Sequence, residues 1–338
     1  MTWLFWPAIL TRGQPGGVNE TMARKSGSAS RLDEAARAGW LYYVAGRTQD
    51  EIAAAMGISR QSAQRLVSLA MSERLIKVRL DHPIAECMAL SAALEERYGL
   101  KQVQVVPSDP NTDTAPTGIA EEGAAEIERW LKRNEPTVLA MGTGRTLRSA
   151  VEQLPPMACP QHRIVSLTGN ISPDGSAAYY NVIFLMADAI QARHFPMPLP
   201  VLVSTPEERA LFHAQPLVKP TLELGGKADV TFVGIGELGQ RGPLLLDGFL
   251  TADEMEELVA AGAAGEICGW LFNDDGRLLD HPINQRVASI PLPSAEDTII
   301  FGMARGKPKH RAIRGALRGG LINALITDED AARFLLEE

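Results

Sequence analysis

The stretch TQDEIAAAMGISRQSAQRLVSLAMSERLI, residues 48–76, predicts two short helices joined by a tight turn. Thr48 and Glu51 have the spacing of a capping box, in which side chains and backbone N–H groups at a helix start bond each other. Gly57 can adopt the positive φ that a sharp turn between helices requires, and Ser59 can cap the second helix. The stretch therefore predicts a helix-turn-helix, whose second helix is free to enter the major groove of DNA.

The second helix of this pair has an apolar and a polar face at helical spacing. The apolar residues, expected to face inward, are Ala63, Leu66, Val67 and Ala70. Arg and Gln make bidentate contacts with the edges of guanine and adenine, and the outward positions hold Arg60, Gln61, Gln64 and Arg65. At the helix ends, phosphate contacts are expected from Arg47 and Ser59. The alternative interpretation is a helical hairpin used only for packing or dimerisation.

Two flanking segments complete a predicted winged helix-turn-helix. LDEAARAGWLYYVAG, residues 32–46, predicts a first helix that covers the pair through Ala36, Leu41 and Val44. RLIKVRLDHP, residues 74–83, indicates a β-ribbon, which would form the wing.

The chain before and after this unit differs from it. Residues 1–32 are predicted to be a disordered tail or start-site surplus, because the chain can begin at Met22 as well as at Met1. The alternative for the apolar opening MTWLFWPAIL is a truncated signal peptide, although it has no basic n-region. We assign residues 33–83 to a DNA-binding domain and residues 84–338 to a second domain.

Charge is distributed unevenly between these domains. The whole chain has a formal charge of −8, and residues 22–80 hold ten Lys or Arg against five Asp or Glu. That segment therefore carries +5, and because residues 1–21 cancel, residues 81–338 carry −13. A basic head on an acidic body is expected if only the head contacts a polyanion such as DNA.

Length and composition exclude several other classes. A chain of 338 residues is too long for one ordinary core. Cys87, Cys159 and Cys268 are few and far apart, which argues against a disulfide framework and fits a reducing, cytoplasmic compartment. No His or Cys spacing predicts a metal site, no motif predicts a cofactor, and no apolar run reaches the roughly 20 residues of a membrane helix.

After Pro83, short apolar runs alternate with helical stretches. The predicted strands are VQVVP, TVLAMG, RIVSLTG, PVLVS, DVTFVGIG, VASIPL, TIIFGMA and ALITD, and the predicted helices span 118–132, 146–153, 182–193 and 312–321. This alternation predicts a mostly parallel sheet covered by helices on both faces. We expect an open, doubly wound α/β domain, in which ligands bind at the carboxyl ends of the strands.

One predicted strand, in TVLAMGTGRTL, ends in a glycine-rich loop that leads into a helix. Gly142 and Gly144 would let backbone N–H groups approach an anion, and Thr143, Arg145 and Thr146 add donors and positive charge. The loop matches neither GxxxxGK[ST] nor GxGxxG, which argues against ATP. A purely structural turn is the alternative.

Other predicted strand ends also carry glycine and polar side chains, namely Gly169, Asn170, Gly234, Gly236, Glu266 and Lys309. Together on one edge of the sheet they would form a pocket for a small, polar, anionic ligand. The sequence has no GxSxG nucleophile elbow and no Cys–His pairing. Four carboxylates near strand ends are too scattered to assign as an acid/base pair: Asp229, Glu237, Asp247 and Glu266. We therefore predict no catalytic residues.

The chain resembles the SorC family of sugar-binding transcriptional regulators, grouped with DeoR-type repressors, over about residues 33–338. The matching motifs are the opening stretch, MGTGRTL, VGIGEL, GEICGWLFNDDG and AIRGALRGGLINALITDE. The resemblance implies a Rossmann-like effector domain similar to sugar-phosphate isomerases and glucosamine-phosphate deaminases, without their activity. It also implies a dimeric or tetrameric repressor or activator of a carbohydrate uptake or catabolism operon. Such a protein binds double-stranded operator DNA and responds to a sugar, sugar alcohol or sugar phosphate.

Positions that match the family's ligand contacts are Gly142, Thr143, Gly144, Arg145, Thr146, Asn170, Asn181, Gly236, Glu266 and Lys309. The chain departs from the family at Asn273, where Asp commonly precedes xDG. It also has ARGKPK in place of AGGxxK, which leaves open whether Lys307 or Lys309 meets the ligand. Two other functions remain as alternatives: an isomerase- or deaminase-like enzyme with an accessory DNA-binding domain, and a protein–protein module.

Overall fold

The computed structural model describes residues 19–337 apart from 74, 77–83, 110–115, 117, 173 and 179. The chain divides into two compact units, Met1–Asp81 and His82–Glu338. The boundary expected from the sequence lay between 83 and 84. No helix among the described residues is long and apolar enough to cross a membrane.

The N-terminal unit contains the helices α1 (Asn19–Tyr43), α2 (Gln49–Met56) and α3 (Arg60–Ser72). A capping box begins α2, because Thr48 N donates to Glu51 Oε2 over 2.8 Å and Glu51 N donates to Thr48 Oγ1 over 3.3 Å. Gly57 ends this helix with a φ of 68°. Ser59 Oγ accepts a hydrogen bond from Ser62 N over 3.1 Å and so starts α3. The predicted helix-turn-helix is confirmed.

The core of this unit lies between its three helices. The four inward residues predicted for α3 are all buried. They belong to one apolar cluster with Ile52 and Ala53 of α2 and with Ala35 and Ala38 of α1. Because this core holds mostly small side chains, the helices approach each other closely.

The covering face of α1 differs from the predicted one. Leu41 packs against this core as predicted. Ala36 is only partly buried, however, and Val44 is 64% exposed. The reason lies at Gly39, where an added Cβ would be only 2.8 Å from Cβ of Ala70. This close approach turns the face of Gly39, rather than that of Val44, towards α3.

Two further predictions concern the ends of this unit. The helix α1 begins at Asn19 and so overlaps the tail expected at residues 1–32, which stays a prediction. The predicted wing at 74–83 falls almost entirely on 74 and 77–83, outside the described residues.

The second unit, here called the body, is built on one seven-stranded sheet. Its strands are β1 (Gln102–Val106), β2 (Val138–Met141), β3 (Arg163–Ile171), β4 (Arg193–Pro200), β5 (Val230–Gly234), β8 (Ile299–Met303) and β9 (Ala324–Asp328). They pair in parallel in the order β1-β9-β8-β5-β2-β3-β4. The sheet is therefore the open, doubly wound α/β arrangement expected from the sequence.

Helices cover this sheet, and the body contains α4 (Ala85–Tyr98), α5 (Ile119–Leu131), α6 (Arg145–Glu152), α7 (Val182–Ile190), α8 (Pro206–His213), α9 (Lys219–Gly225), α10 (Pro243–Leu246), α11 (Ala252–Ala260), α12 (Pro282–Arg286), α13 (His310–Arg318) and α14 (Glu329–Leu336). Alternate strand residues enter two separate apolar clusters. Ala140 and Val233 lie in one cluster, whereas Leu139, Met141 and Phe232 lie in the other. Successive side chains of a strand point to opposite faces, so each face of the sheet has its own core.

The edge strand β4 was not predicted. The sequence placed a helix up to Arg193 and a strand at 200–204, whereas α7 ends at Ile190 and β4 occupies Arg193–Pro200. Its sequence RHFPMPLP has prolines at alternate positions, which hide a strand because proline has no N–H to donate to a ladder. An edge strand tolerates them. The predicted strands at 200–204 and 287–292 form only the isolated bridge Leu202–Val287.

A separate antiparallel hairpin, β6 (Ala263–Ile267) and β7 (Trp270–Asn273), packs against α13. The contact is close because it is made by glycine backbones. A Cβ on Gly276 would lie 2.3 Å from the carbonyl oxygen of Gly315 and 2.5 Å from Cα of Gly319. Arg311 adds a two-pronged ion pair with Asp274, both bonds at 2.6 Å. The glycines of FNDDG and RGALRGG thus fix the hairpin on the helix.

Candidate functional site

A cavity of about 160 Å³ lies at the carboxyl ends of the central strands. Its wall is formed by the loop after β2, the segment after β5, the end of β6 and the short 3₁₀ turn Lys307–Lys309 before α13. The sequence-predicted residues that line it are Thr143, Gly144, Arg145, Thr146, Gly236, Glu266 and Lys309. These seven come from distant parts of the chain, and the fold brings them together.

The other three predicted residues, Gly142, Asn170 and Asn181, line a much smaller recess of about 10 Å³. Thr143 and Tyr180 line both hollows. The Oδ1 atom of Asn181 is buried and has no hydrogen-bond partner among the described residues. These three positions therefore lie beside the main cavity rather than in its wall.

The glycine-rich loop is held from two sides. Gly142 N donates to the carbonyl oxygen of Phe232 over 2.8 Å, which extends the pairing of β2 with β5. Thr143 Oγ1 donates to the carbonyl oxygen of Tyr180 over 3.0 Å. Gly144, with a φ of 120°, then starts α6. The first-turn N–H groups of a helix have no intrahelical partner, so they form a polar, positively polarised part of the wall.

Among the described residues, three carboxylates line the same cavity, namely Glu237, Asp247 and Glu266. The sequence leaves these acids too scattered to assign as an acid/base pair, and the fold brings three of them into one wall. Only Asp229 of the original four is elsewhere, where its Oδ2 accepts from Val138 N over 2.7 Å at the start of β2. The signal in the sequence was that each of the three acids lies beside a glycine in VGIGEL, LLLDGF or AGEI.

Glu266 is fixed by its backbone and its side chain. Gly236 N donates to the carbonyl oxygen of Glu266 over 2.9 Å, and Glu266 N donates back over 3.0 Å. A Cβ on Gly236 would lie 2.0 Å from Oε1, so only glycine leaves room for this carboxylate. Its Oε2 accepts from Gly269 N over 2.8 Å.

The electrostatics of the cavity follow from crowding of these acids. Burial raises the pKa of Glu266, and the charges of Glu237 and Asp247 raise it further, against the hydrogen bond from Gly269 and the charge of Lys309. Burial also raises the pKa of Asp247, and the positive charge of Arg145 opposes that shift. Burial therefore disfavours the ionised form of both acids, and the charges of Arg145 and Lys309 counter this in part.

Two cations of the cavity wall, Lys309 and Arg305, already bind other groups of the protein. Lys309 Nζ donates to the carbonyl oxygen of Ile235 over 2.6 Å and lies 3.3 Å from Glu237 Oε2. Lys307 is exposed and does not line the cavity, so Lys309 is the better candidate for a ligand contact. Arg305, which the sequence analysis did not select, lies in the wall and forms a buried ion pair with Asp328 at 3.0 Å.

Several neutral residues of the wall are not predicted from the sequence, including Thr168, Tyr180, Phe249 and Cys268. Thr168 ends a predicted strand motif and could have been chosen on that ground. Tyr180 and Phe249 lie in loops with no motif. No group of three or more His, Cys, Asp or Glu among the described residues is arranged to hold a metal ion.

In the N-terminal unit, all six predicted DNA-contacting residues are exposed: Arg47, Ser59, Arg60, Gln61, Gln64 and Arg65. Arg60 Nε lies 3.5 Å from Asp50 Oδ1, and Arg47 Nη1 lies 3.5 Å from a carboxylate oxygen of Glu51. Exposed pairs of this length are weak, so a phosphate can displace either acid.

Known proteins are similar to this chain over both of its units. Residues 82–337 match the family described as "Putative sugar-binding domain". The chain is 32% identical over 302 residues to the erythritol catabolism regulatory protein EryD of Brucella abortus (strain 2308), with 89% of this chain and 96% of that protein covered. It is 31% identical over 307 residues to the transcriptional regulator LsrR of Enterobacter sp. (strain 638), with 89% and 92% covered.

Among solved structures, the full-length sorbitol operon regulator SorC from Klebsiella pneumoniae matches with a TM-score of 0.67 at 26% identity. The match covers 91% of this chain and 100% of that chain. The resemblance seen in the sequence motifs is confirmed over both units. The chain belongs to the SorC family of sugar-binding transcriptional regulators.

Proposed function

We propose that the polar face of α3 binds an operator in double-stranded DNA. We further propose that a sugar, sugar alcohol or sugar phosphate in the cavity of the body controls that binding. One observation carries the proposal: an exposed Arg/Gln face on one unit is joined to a polar, glycine-framed cavity in the other. Relatives that match both units are named as regulators of erythritol catabolism and of the sorbitol operon.

The ligand would act by preferring one arrangement of the protein over another. It can shift the equilibrium only by its differential affinity for the two arrangements, typically about 1–3 kcal/mol. We propose a homodimer or tetramer, because two recognition helices at a fixed distance would match half-sites about one duplex turn apart or a multiple of it.

The reading helix is tested by the double variant Gln64→Ala/Arg65→Ala. Operator affinity should fall, because each lost bidentate base contact costs about 1–3 kcal/mol. Affinity is measured by fluorescence anisotropy on a duplex that the wild-type protein has selected from a random pool. Ligand affinity of the body should not change.

A matched control is Gln161→Ala/Arg163→Ala, which removes the same two residue types from exposed positions of the body. This control should bind the operator like the wild type. If the α3 variant also does so, the helix-turn-helix serves packing, as in the protein–protein alternative.

We propose that the body is a receptor and catalyses no reaction. A sugar-phosphate isomerase or deaminase remains the second candidate, because three carboxylates and Lys309 share one cavity. The two are separated by incubating the protein with aldose and ketose phosphates and with glucosamine phosphate. Interconversion of the sugars or release of ammonia would establish the enzyme, and it should disappear in Glu266→Gln.

A further inference from the structure

We propose that the cavity selects an uncharged polyol or open-chain sugar of about four to six carbons over the phosphate ester of the same compound. This inference rests on the proposed function, because it specifies the ligand of the same cavity. It differs from the expectation drawn from the sequence, where Arg145 and Lys309 pointed to an anionic ligand.

The first argument is the pairing of charges. Among the residues that the structure describes, the wall contains three cations, Arg145, Arg305 and Lys309. Arg305 is held by buried Asp328 at 3.0 Å. Lys309 is 3.3 Å from Glu237 and also donates to a backbone carbonyl. Two of the three cations are thus already bound to carboxylates of the protein.

The remaining charges leave the site acidic. Arg145 is exposed at the start of α6, and the half-buried carboxylates of Asp247 and Glu266 line the same wall. The charge of Arg145, the first residue of α6, acts on Asp247. The carboxylate of Asp247 therefore already lies near the positively polarised start of this helix. A phosphate at that helix start would bring a charge of about −1.5 to −2 next to these two carboxylates.

The second argument is hydrogen-bonding chemistry. An ionised carboxylate only accepts hydrogen bonds, and a hydroxyl group donates one. Hydrogen bonds from hydroxyls to a carboxylate are among the strong ones. A polyol hydroxyl donates to an ionised carboxylate and accepts from a protonated one, so a polyol can satisfy Asp247 and Glu266 in either form without adding charge. Thr146 and Thr168 offer it neutral hydroxyl partners.

The third argument is size. A cavity of about 160 Å³ is close to the cavity of about 150 Å³ that takes up benzene in another protein. A ligand of about that scale has a short carbon chain, and Leu147, Ile235 and Leu244 provide apolar contacts for its carbons.

A neighbouring hollow is acidic as well. An adjoining hollow of about 690 Å³ shares Thr143, Tyr180, Asp247 and Phe249 with the cavity. Asp174 also lines it. An anionic ligand that extends into this hollow meets further negative charge rather than a cation of the protein.

The test uses the full chain and isothermal titration calorimetry. The probes are erythritol, ribitol and sorbitol, the monophosphates of the same polyols, and the amine-bearing polyol glucamine. At least one uncharged polyol should bind about tenfold or more tightly than its phosphate.

Asp247→Asn should bring the dissociation constants of the polyol and of its phosphate closer together by strengthening phosphate binding. The control Asp188→Asn removes an exposed acid of the body that does not line the cavity, and it should leave the ratio unchanged.

Several results would overturn the inference. These are tighter binding of a phosphate than of its parent polyol, tighter binding of glucamine than of sorbitol by about tenfold, or binding by none of the probes. Failure of the proposed function would give a different experimental result. If a polyol binds as expected but leaves operator affinity unchanged, the ligand class stands and the control of DNA binding fails.

Discussion

The polar face of α3 and the cavity of the body use similar side chains in opposite ways. On α3, Arg and Gln residues stand in solvent on a single helix whose other face is buried. In the body, Arg, Lys, Asp and Glu residues from distant segments are enclosed together and bond each other. A surface that must fit a large, charged partner can be built locally, whereas a pocket for a small ligand needs the whole fold.

The largest expected loss of stability comes from replacing a glycine that contacts backbone atoms, and it is compared with the replacement of a glycine that has open space around it. Gly276→Ala should lower the free energy of unfolding of the body by about 4 kcal/mol, because its Cβ meets α13 and its φ is strained. Its φ is 73°, and an added Cβ would lie 2.3 Å from the carbonyl oxygen of Gly315. Thermal and denaturant unfolding of the full chain measure this change.

The matched control in the N-terminal unit is Gly57→Ala. Gly57 has a φ of 68°, but an added Cβ there would have no atom within 4 Å. Only the backbone strain remains, about 1–2 kcal/mol. Equal losses in the two variants would show that the hairpin can move away from α13.

The next effect tests whether the two units work independently. Ile52 is fully buried in the small N-terminal core, so Ile52→Ala should destabilise that unit by about 3 kcal/mol. Operator binding should be lost at a lower temperature, while calorimetric titration should give the wild-type ligand affinity.

Val44→Ala is the companion variant, because Val44 is apolar but 64% exposed in the same unit. It should change neither property. A weakened ligand affinity in Ile52→Ala would mean that the body depends on the fold of the N-terminal unit.

The smallest effect concerns the enclosed charges. The raised pKa of Glu266 means that its ionised form is disfavoured in the folded protein, by burial and by Glu237 and Asp247, although Lys309 and the Gly269 N–H oppose this. The resulting loss of stability is present above the raised pKa and disappears as the pH falls towards the unfolded value of about 4.3.

Glu266→Gln should therefore raise the melting temperature of the ligand-free protein by about 2 °C at pH 8. The difference from the wild type should close as the pH falls. Melting curves recorded across this pH range measure it, and a variant that is less stable at high pH would contradict the account.

The contrast between the locally built face of α3 and the cavity built from distant segments explains what the sequence could and could not predict. The period of a helix alone separates Ala63, Leu66 and Val67 from Gln64 and Arg65, so both faces of α3 were predicted from local spacing. Val44 was misplaced because the close approach at Gly39 depends on another helix. Local patterns do not contain that information.

In the body, short apolar runs predicted most strands, and motif glycines predicted the loops around the cavity. The glycines beside Glu237, Asp247 and Glu266 mark each acid singly, but their meeting in one wall depends on strand order and on a hairpin outside the main sheet. The strand β4 was hidden by its prolines, since propensity alone argues against a strand there.

Those prolines have a consequence for how copies of this protein can associate. An open sheet edge invites a strand from another molecule to continue the ladder, and this leads to fibres or exchanged segments. With Pro196, Pro198 and Pro200 on β4, that edge lacks three of the N–H donors a neighbour would need. An approach of another copy to this side would therefore depend on side-chain contacts rather than on a continuous backbone ladder.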